Sequence, residues 1–308
     1  MSQIKINSKK RIGEVIFVVE GRKTEPRIIT DIFNKVLGFS ILKVNSNNEL
    51  IYLKKEDDKY SKITIVVSKY PQIKKIKDSK DFLDDIFKVL VSNNLDPYNS
   101  AIYFIFDRDK DSNLYIDCLD LISKLVSSRD NEDYNINGML LLSYPCVEAI
   151  YCNMNRDDKC FCSNKEIKKY VNENRYKNIE YKCLIDYANQ FIKILNEKFS
   201  MNMSDINLDN LYEFNNNIFL VEEDNFYKNK YYITLSLVII SLLDLGIIEI
   251  EWYIYKDVII KYIKEYGSIR RNTIENILNI KKSRAKEILL DLQNKKYIKQ
   301  EGNSSSTK

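Results

Sequence analysis

Histidine is absent from all 308 residues. Its absence removes Ser-His-Asp and Cys-His nucleophile systems and the HExxH zinc motif. Glycine is scarce, at seven, and no GxxxxGK[ST] or GxGxxG arrangement occurs, so a Walker-type nucleotide site would have to come from a partner. Acid–base work falls to carboxylates, lysine, tyrosine, cysteine or metal-bound water. No apolar run reaches membrane-spanning length. The longest, Tyr231 to Gly246, is interrupted at Asp244 and reads as a buried helix closed by Gly246. The cysteines Cys118, Cys146, Cys152, Cys160, Cys162 and Cys183 follow no regular spacing. Without histidine or a paired CxxC, the Cys160–Cys162 pattern near Cys152 is a weak zinc signal, and free thiols are expected. The N-terminal stretch lacks an apolar signal core, which leads to the expectation of a reducing, cytoplasmic location.

What the chain does contain is unevenly charged. The net charge is only +4, yet the segment from Trp252 onward carries 13 Lys/Arg against 6 Asp/Glu, which leaves the remainder net acidic. A basic C-terminal segment on an acidic body is the asymmetry of an appended nucleic-acid-binding module, although lysine-rich solvated surfaces produce it too.

The first half alternates between two patterns. Short, continuous apolar runs occur at Glu14–Glu20, Ile63–Val67, Ala101–Phe106 and Gly138–Ser143. Between them, Glu25–Leu37, Ser79–Asn93 and Leu114–Ser127 show helical spacing. Strands apolar on both faces, alternating with amphipathic helices, specify an α/β fold with a mostly parallel sheet flanked by helices. Ligands of such sheets bind beyond the carboxyl ends of the strands.

Acids gather at those ends. The first run closes in Glu20-Gly21, followed by Arg22, Lys23, Thr24, Glu25 and Pro26. The third closes in Asp107-Arg108-Asp109, with Asp111 beyond. The fourth leads to Pro145 and Glu148, in the first turn of a helix expected to open at Pro145. Helix capping explains some acids at strand–turn–helix junctions: Thr24 is suited to cap the first helix, and Asp111 or Ser112 the one after the third strand. Glu20 and Asp107 precede the caps and have no capping task. Asp107 and Asp109, two apart in extended backbone, project from one face and can reach one cation. Hard carboxylate oxygens of this kind suit Mg²⁺ or Mn²⁺.

Three motifs in order, "VVEGRKTEP", "FDRDKD" and "SYPCVEAIY", resemble the Toprim catalytic domain of topoisomerases, bacterial primases, OLD-family nucleases and small RNases. More narrowly they resemble the RloB-like group of Toprim-related proteins, linked to restriction and phage-defence loci. The resemblance covers about the first 155 residues. It implies Glu20 as the acid–base group or a second-metal ligand. It also implies Asp107 and Asp109 as the metal pair, with Asp111 beside them, and Glu25 and Glu148 as further motif residues. Lys23 or Arg22 would neutralise phosphate. Three positions depart from the family pattern: Arg27, Ile28 and Ile29 stand where an aromatic pair is frequent, Tyr144 where asparagine is, and Asp111 where histidine is.

Residues 156–250 read as a tyrosine-rich helical domain. From 251 to 302 the pattern resembles a winged helix-turn-helix: helices at Asp257–Tyr266, Arg271–Leu278 and Lys282–Asn294, then a wing opening at Lys296. Its expected apolar faces are Ile259, Ile263, Ile274, Ile277, Leu278, Ile280, Ala285, Ile288, Leu289 and Leu292. Lys281, Lys282, Ser283, Arg284 and Lys286 would face nucleic acid at the start of the third helix. Residues 303–308 read as a disordered tail. The leading expectation is a metal-dependent nuclease acting on DNA or RNA in phage defence, with an ATPase as a candidate partner and no membrane involvement. The alternative is a non-enzymatic nucleic-acid-binding adaptor on a Toprim-like scaffold, working with a partner protein.

Overall fold

The computed structural model describes residues 4–44, 50–68, 87–129, 138–278, 280, 282–294 and 296–300. The chain divides into two compact units, Ile6–Ile248 and a second formed by Met1–Lys5 with Glu249–Lys308. The helical segment read from sequence as 156–250 therefore shares a unit with the sheet, almost to its end.

A short strand β1 (Ile4–Ile6) precedes β2 (Glu14–Val19), which leads to helix α1 (Thr24–Asp31). The expected helix to Leu37 continues past Asp31 as a wider π-helical turn, Ile32–Val36. No side chain caps α1: Lys23 holds the N-cap position, and Thr24 lies inside the helix. Next come β3 (Phe39–Val44), β4 (Leu50–Lys55), β5 (Asp58–Val67) and β6 (Ala101–Asp107). Helix α2 (Tyr115–Lys124) stops short of the expected Ser127, because Val126–Ser127 forms the short strand β7. Leu114 is the N-cap of α2, so neither Asp111 nor Ser112 caps it. Strand β8 (Gly138–Tyr144) closes the α/β part. Residues 79–86 of the expected helix Ser79–Asn93 lie outside the described residues, while 87–92 are helical.

The sheet order is β3-β4-β5-β2-β6-β8-β7. The central strands β5, β2, β6 and β8 are parallel, with Val19 opposite Val67 and Ile105. The margins are antiparallel: β3 on β4, β4 on β5, and β7 on β8. Every residue of β6 and β8 is buried, as expected of strands covered on both faces.

The helical segment builds onto this sheet. Helices α3 (Ala149–Met154), α4 (Asn164–Glu173), α5 (Tyr181–Lys198) and α6 (Tyr212–Asn229) follow. The apolar stretch from Tyr231 is not one helix. Leu235–Ser236 forms β9, antiparallel to β8, before α7 (Val238–Asp244) and the ribbon strand β10 (Ile248–Ile250), which pairs with β1. Buried hydrogen bonds fasten these elements: Asn215 Nδ2 donates to Leu140 O at 2.9 Å, and the Ser236 N–H donates to Asn153 Oδ1 at 2.9 Å.

The second unit contains α8 (Glu251–Tyr266), α9 (Arg271–Leu278) and α10 (Lys282–Asn294). Gly267, at φ +79°, ends α8. Tyr255, Ile259, Ile274, Ala285, Ile288 and Leu292 form its core, with Ile263, Leu278, Ile280 and Leu289 packed against them. Ile277, expected in that face, is exposed. No strand forms over residues 296–300, where the wing was expected. Among the described residues, no helix is long and apolar enough to cross a membrane.

Candidate functional site

Parallel pairing brings the ends of β2 and β6 side by side, and the acid after β2 holds the backbone at the end of β6. Glu20 Oε2 accepts the backbone N–H of Asp107 at 3.1 Å. Asp107 Oδ1 accepts the N–H of Val147 at 2.7 Å, on the turn after β8. The two residues expected to have no capping task thus each hold the backbone of a neighbouring segment. The Glu25 carboxylate folds back over Gly21: a Cβ there would stand 2.7 Å from Glu25 Oε1 and closer still to Oε2, so glycine is required for this approach. Glu148 does not sit in the first turn of a helix opening at Pro145. The Tyr144–Pro145 peptide is cis, α3 begins at Ala149, and Glu148 is its N-cap residue. Glu148 Oε2 accepts the Cys146 thiol at 3.0 Å, and Oε1 lies 3.8 Å from Lys168 Nζ.

Glu25, Asp107 and Glu148 are buried, and Glu20 is partly so. Desolvation raises the Glu20 carboxyl to about 7, helped by the charges of Glu25 and Asp109 and opposed by the Asp107 N–H. Burial also raises Glu25, and the charge of Glu148 adds to it. Asp107 is driven well above the usual carboxylate range, first by burial and then by Glu25, Glu20 and Glu148. Four acids thus share one electrostatic neighbourhood, and a lysine from α4 enters the same field. Lys168 was not singled out from sequence. It lies beyond the three motifs in an ordinary amphipathic helix, where Ile167 and Val171 turn inward.

The other sequence candidates sit at the margin. Asp109 is half-buried and accepts bonds within its own turn, from the Asp111 N–H at 3.2 Å and Ser112 Oγ at 2.9 Å. Asp111 and Lys23 are exposed. Among the described residues, no three His, Cys, Asp or Glu side chains are arranged to hold a metal ion, so Glu20, Asp107, Asp109 and Asp111 do not form a ready cage. The donor chemistry nonetheless fits Mg²⁺, which is commonly bound through one or two carboxylates with several retained waters. The crowded carboxyl groups of Glu20, Glu25 and Asp107 would supply hard oxygen donors, and a cation among them would relieve the mutual repulsion that raises their pKa values.

The cysteines do not compete for this role. All six are free, and burial pushes the Cys118 and Cys152 thiols up to about 12 and Cys146 well above its ordinary value. In the second unit Lys282 and Lys286 are exposed on α10. Ser283 and Arg284 belong to that helix, and Lys281 lies outside the described residues.

Fold and site together define a mixed α/β protein with an acid cluster at the carboxyl edge of its parallel strands. No family model, curated protein or solved structure matches the chain.

Proposed function

We propose that this chain is a divalent-metal-dependent nuclease whose site is built on Glu20, Asp107 and Asp109. The observation that carries the reading is the convergence of Glu20, Glu25, Asp107 and Glu148, with burial and mutual repulsion raising the first three toward their protonated forms. Clusters of acids with raised pKa values at a strand edge are typical of catalytic sites. Asp107 and Asp109 would hold Mg²⁺ or Mn²⁺, with Glu20 beside them. Bound there, the ion would polarise a phosphodiester and acidify a water.

The protein's own groups have distinct tasks. Glu20, with its carboxyl near 7, is suited to exchange a proton with an attacking or departing oxygen at neutral pH. Lys168, half-exposed and directed at Glu148, is suited to neutralise phosphate charge more directly than the exposed Lys23. Glu25 and Glu148 orient the turns on either side. The basic second unit, with exposed Lys282 and Lys286 on its third helix, supports a helix-turn-helix role in holding nucleic acid, DNA in the first instance. The resemblance to the RloB-like Toprim group extends the proposal to a phage-defence effector working with an ATPase partner.

The deciding experiment incubates the purified chain and D107N/D109N with plasmid, single-stranded DNA and total RNA, in Mg²⁺, Mn²⁺ or EDTA. Metal-dependent cleavage, lost in the double variant with nucleic-acid binding retained, is the expected result. Binding without cleavage by the wild type would leave a nucleic-acid-binding adaptor on an inert scaffold, and a double variant that cleaves like the wild type would remove the chemistry from Asp107 and Asp109.

A further inference from the structure

Between the two acids of the Asp-x-Asp motif lies Arg108, the largest fully buried side chain among the described residues. Strand β6 ends at Asp107, Asp109 is half-buried in the turn that follows, and the Arg108 side chain between them is buried. Its guanidinium meets α6. Nε donates to Glu223 Oε1 at 2.7 Å and Nη2 to Glu223 Oε2 at 2.8 Å, a two-pronged fork. Nη1 donates to the carbonyl of Asn113 at 3.1 Å, and Asn113 Nδ2 donates in turn to the carbonyl of Asp107 at 2.9 Å. The Phe219 ring, one turn earlier on α6, covers the guanidinium at 5.3 Å. The Arg108 N–H is fixed to Ser143 O at 2.9 Å.

These bonds close a circuit around the turn that carries both acids. We infer that Arg108 and Glu223 are a positioning pair, through which helix α6 fixes where Asp107 and Asp109 present their carboxylates. The inference rests on the nuclease reading for its metal, and it gives the helical segment a task in that reaction. A buried ion pair is a poor device for stability alone, since apolar residues of similar volume serve as well or better. Its worth here is geometric: carboxylates must be held to within about 0.5 Å to ligate an ion productively.

The test uses the full-length chain with E223Q, which keeps the shape and removes the charge, and R108K, which keeps the charge and removes the fork. E223D is the conservative control. Amide hydrogen exchange across residues 107–113 is read alongside Mn²⁺ affinity, and kcat and KM on nucleic acid. In E223Q and R108K, exchange in this turn is expected to rise about tenfold or more while β2 keeps its protection. Mn²⁺ affinity should fall by about tenfold to a hundredfold, as for groups that orient metal ligands. The loss should appear in kcat with KM little changed, and E223D should recover part of it.

Folded variants with wild-type exchange in the turn overturn the inference. So do variants with faster exchange and wild-type Mn²⁺ affinity, which would reduce the pair to a structural anchor. A wild-type chain that binds no Mn²⁺ removes the nuclease reading and with it the pair's role toward metal. The exchange data still decide whether Glu223 holds the turn.

Discussion

The carboxylate of Glu20 receives the backbone N–H of Asp107 at 3.1 Å, so the acid that follows β2 also holds the last residue of β6. The bond ties a group that titrates near 7 to the position of the strongest metal-ligand candidate, and pH dependence follows from it.

Glu20 is raised from 4.5 to about 7 in the folded chain. The native state therefore binds more protons than the unfolded chain between those values, and stability must fall as pH rises through that window. The contribution is fully present below 4.5 and lost above about 7, amounting to about 3 kcal/mol at most. Urea unfolding in EDTA between pH 5 and pH 8 should show this decline, and Glu20→Gln should flatten it. Added Mg²⁺ should restore stability at the alkaline end. A wild-type profile that rises over the same range would contradict the assignment.

Gly21→Ala tests the acid beside it. The new methyl would collide with the Glu25 carboxylate, which is the free end of a flexible side chain and can swing away. The stability cost should therefore stay within about 1 kcal/mol. Cleavage should nevertheless drop at least tenfold, because Glu25 no longer lies over the turn. Thermal unfolding and kcat on the same preparation separate the two effects.

Lys168→Met removes the cation facing Glu148. The pair is 3.8 Å apart and half of the lysine side chain is exposed, so its loss should change stability by less than about 0.5 kcal/mol. If Lys168 meets phosphate, activity should fall about tenfold and Lys168→Arg should retain most of it. Equal activity in the methionine variant would assign the lysine to the surface.

Lys282→Gln and Lys286→Gln examine the second unit. Both residues are exposed on α10, outside the core formed by Ala285, Ile288 and Leu292, so folding should be unaffected. Each lost phosphate contact should lower the slope of log K against log salt by about 0.9. Fluorescence anisotropy with duplex DNA at several salt concentrations measures this. An unchanged slope would mean that this helix does not touch phosphate.

Much of this protein can be read from local pattern. The four central strands begin within a few residues of their expected starts, except β5, which opens earlier at Asp58. The helices Arg271–Leu278 and Lys282–Asn294 match the apolar spacing that foretold them. Such elements are legible because burial on two faces or on one stripe writes a period into neighbouring residues. The strands β3 and β4 escaped that reading. They are antiparallel and marginal, and β3 exposes Ile41, Leu42 and Val44, so no clean alternation marks them. Leu235–Ser236 was hidden inside an apolar run that suits helix and strand equally.

The sequence by itself determined which carboxylates stand at the strand ends, because strand length and chain direction are local properties. Only the tertiary structure decided what surrounds them. Parallel pairing of β2 with β6 drew Glu20 onto Asp107. The docking of α4 brought Lys168 to Glu148, and α6 delivered Glu223 to Arg108 across 115 positions of sequence. Desolvation and charge proximity depend on distance in space, and no spacing along a chain records that distance.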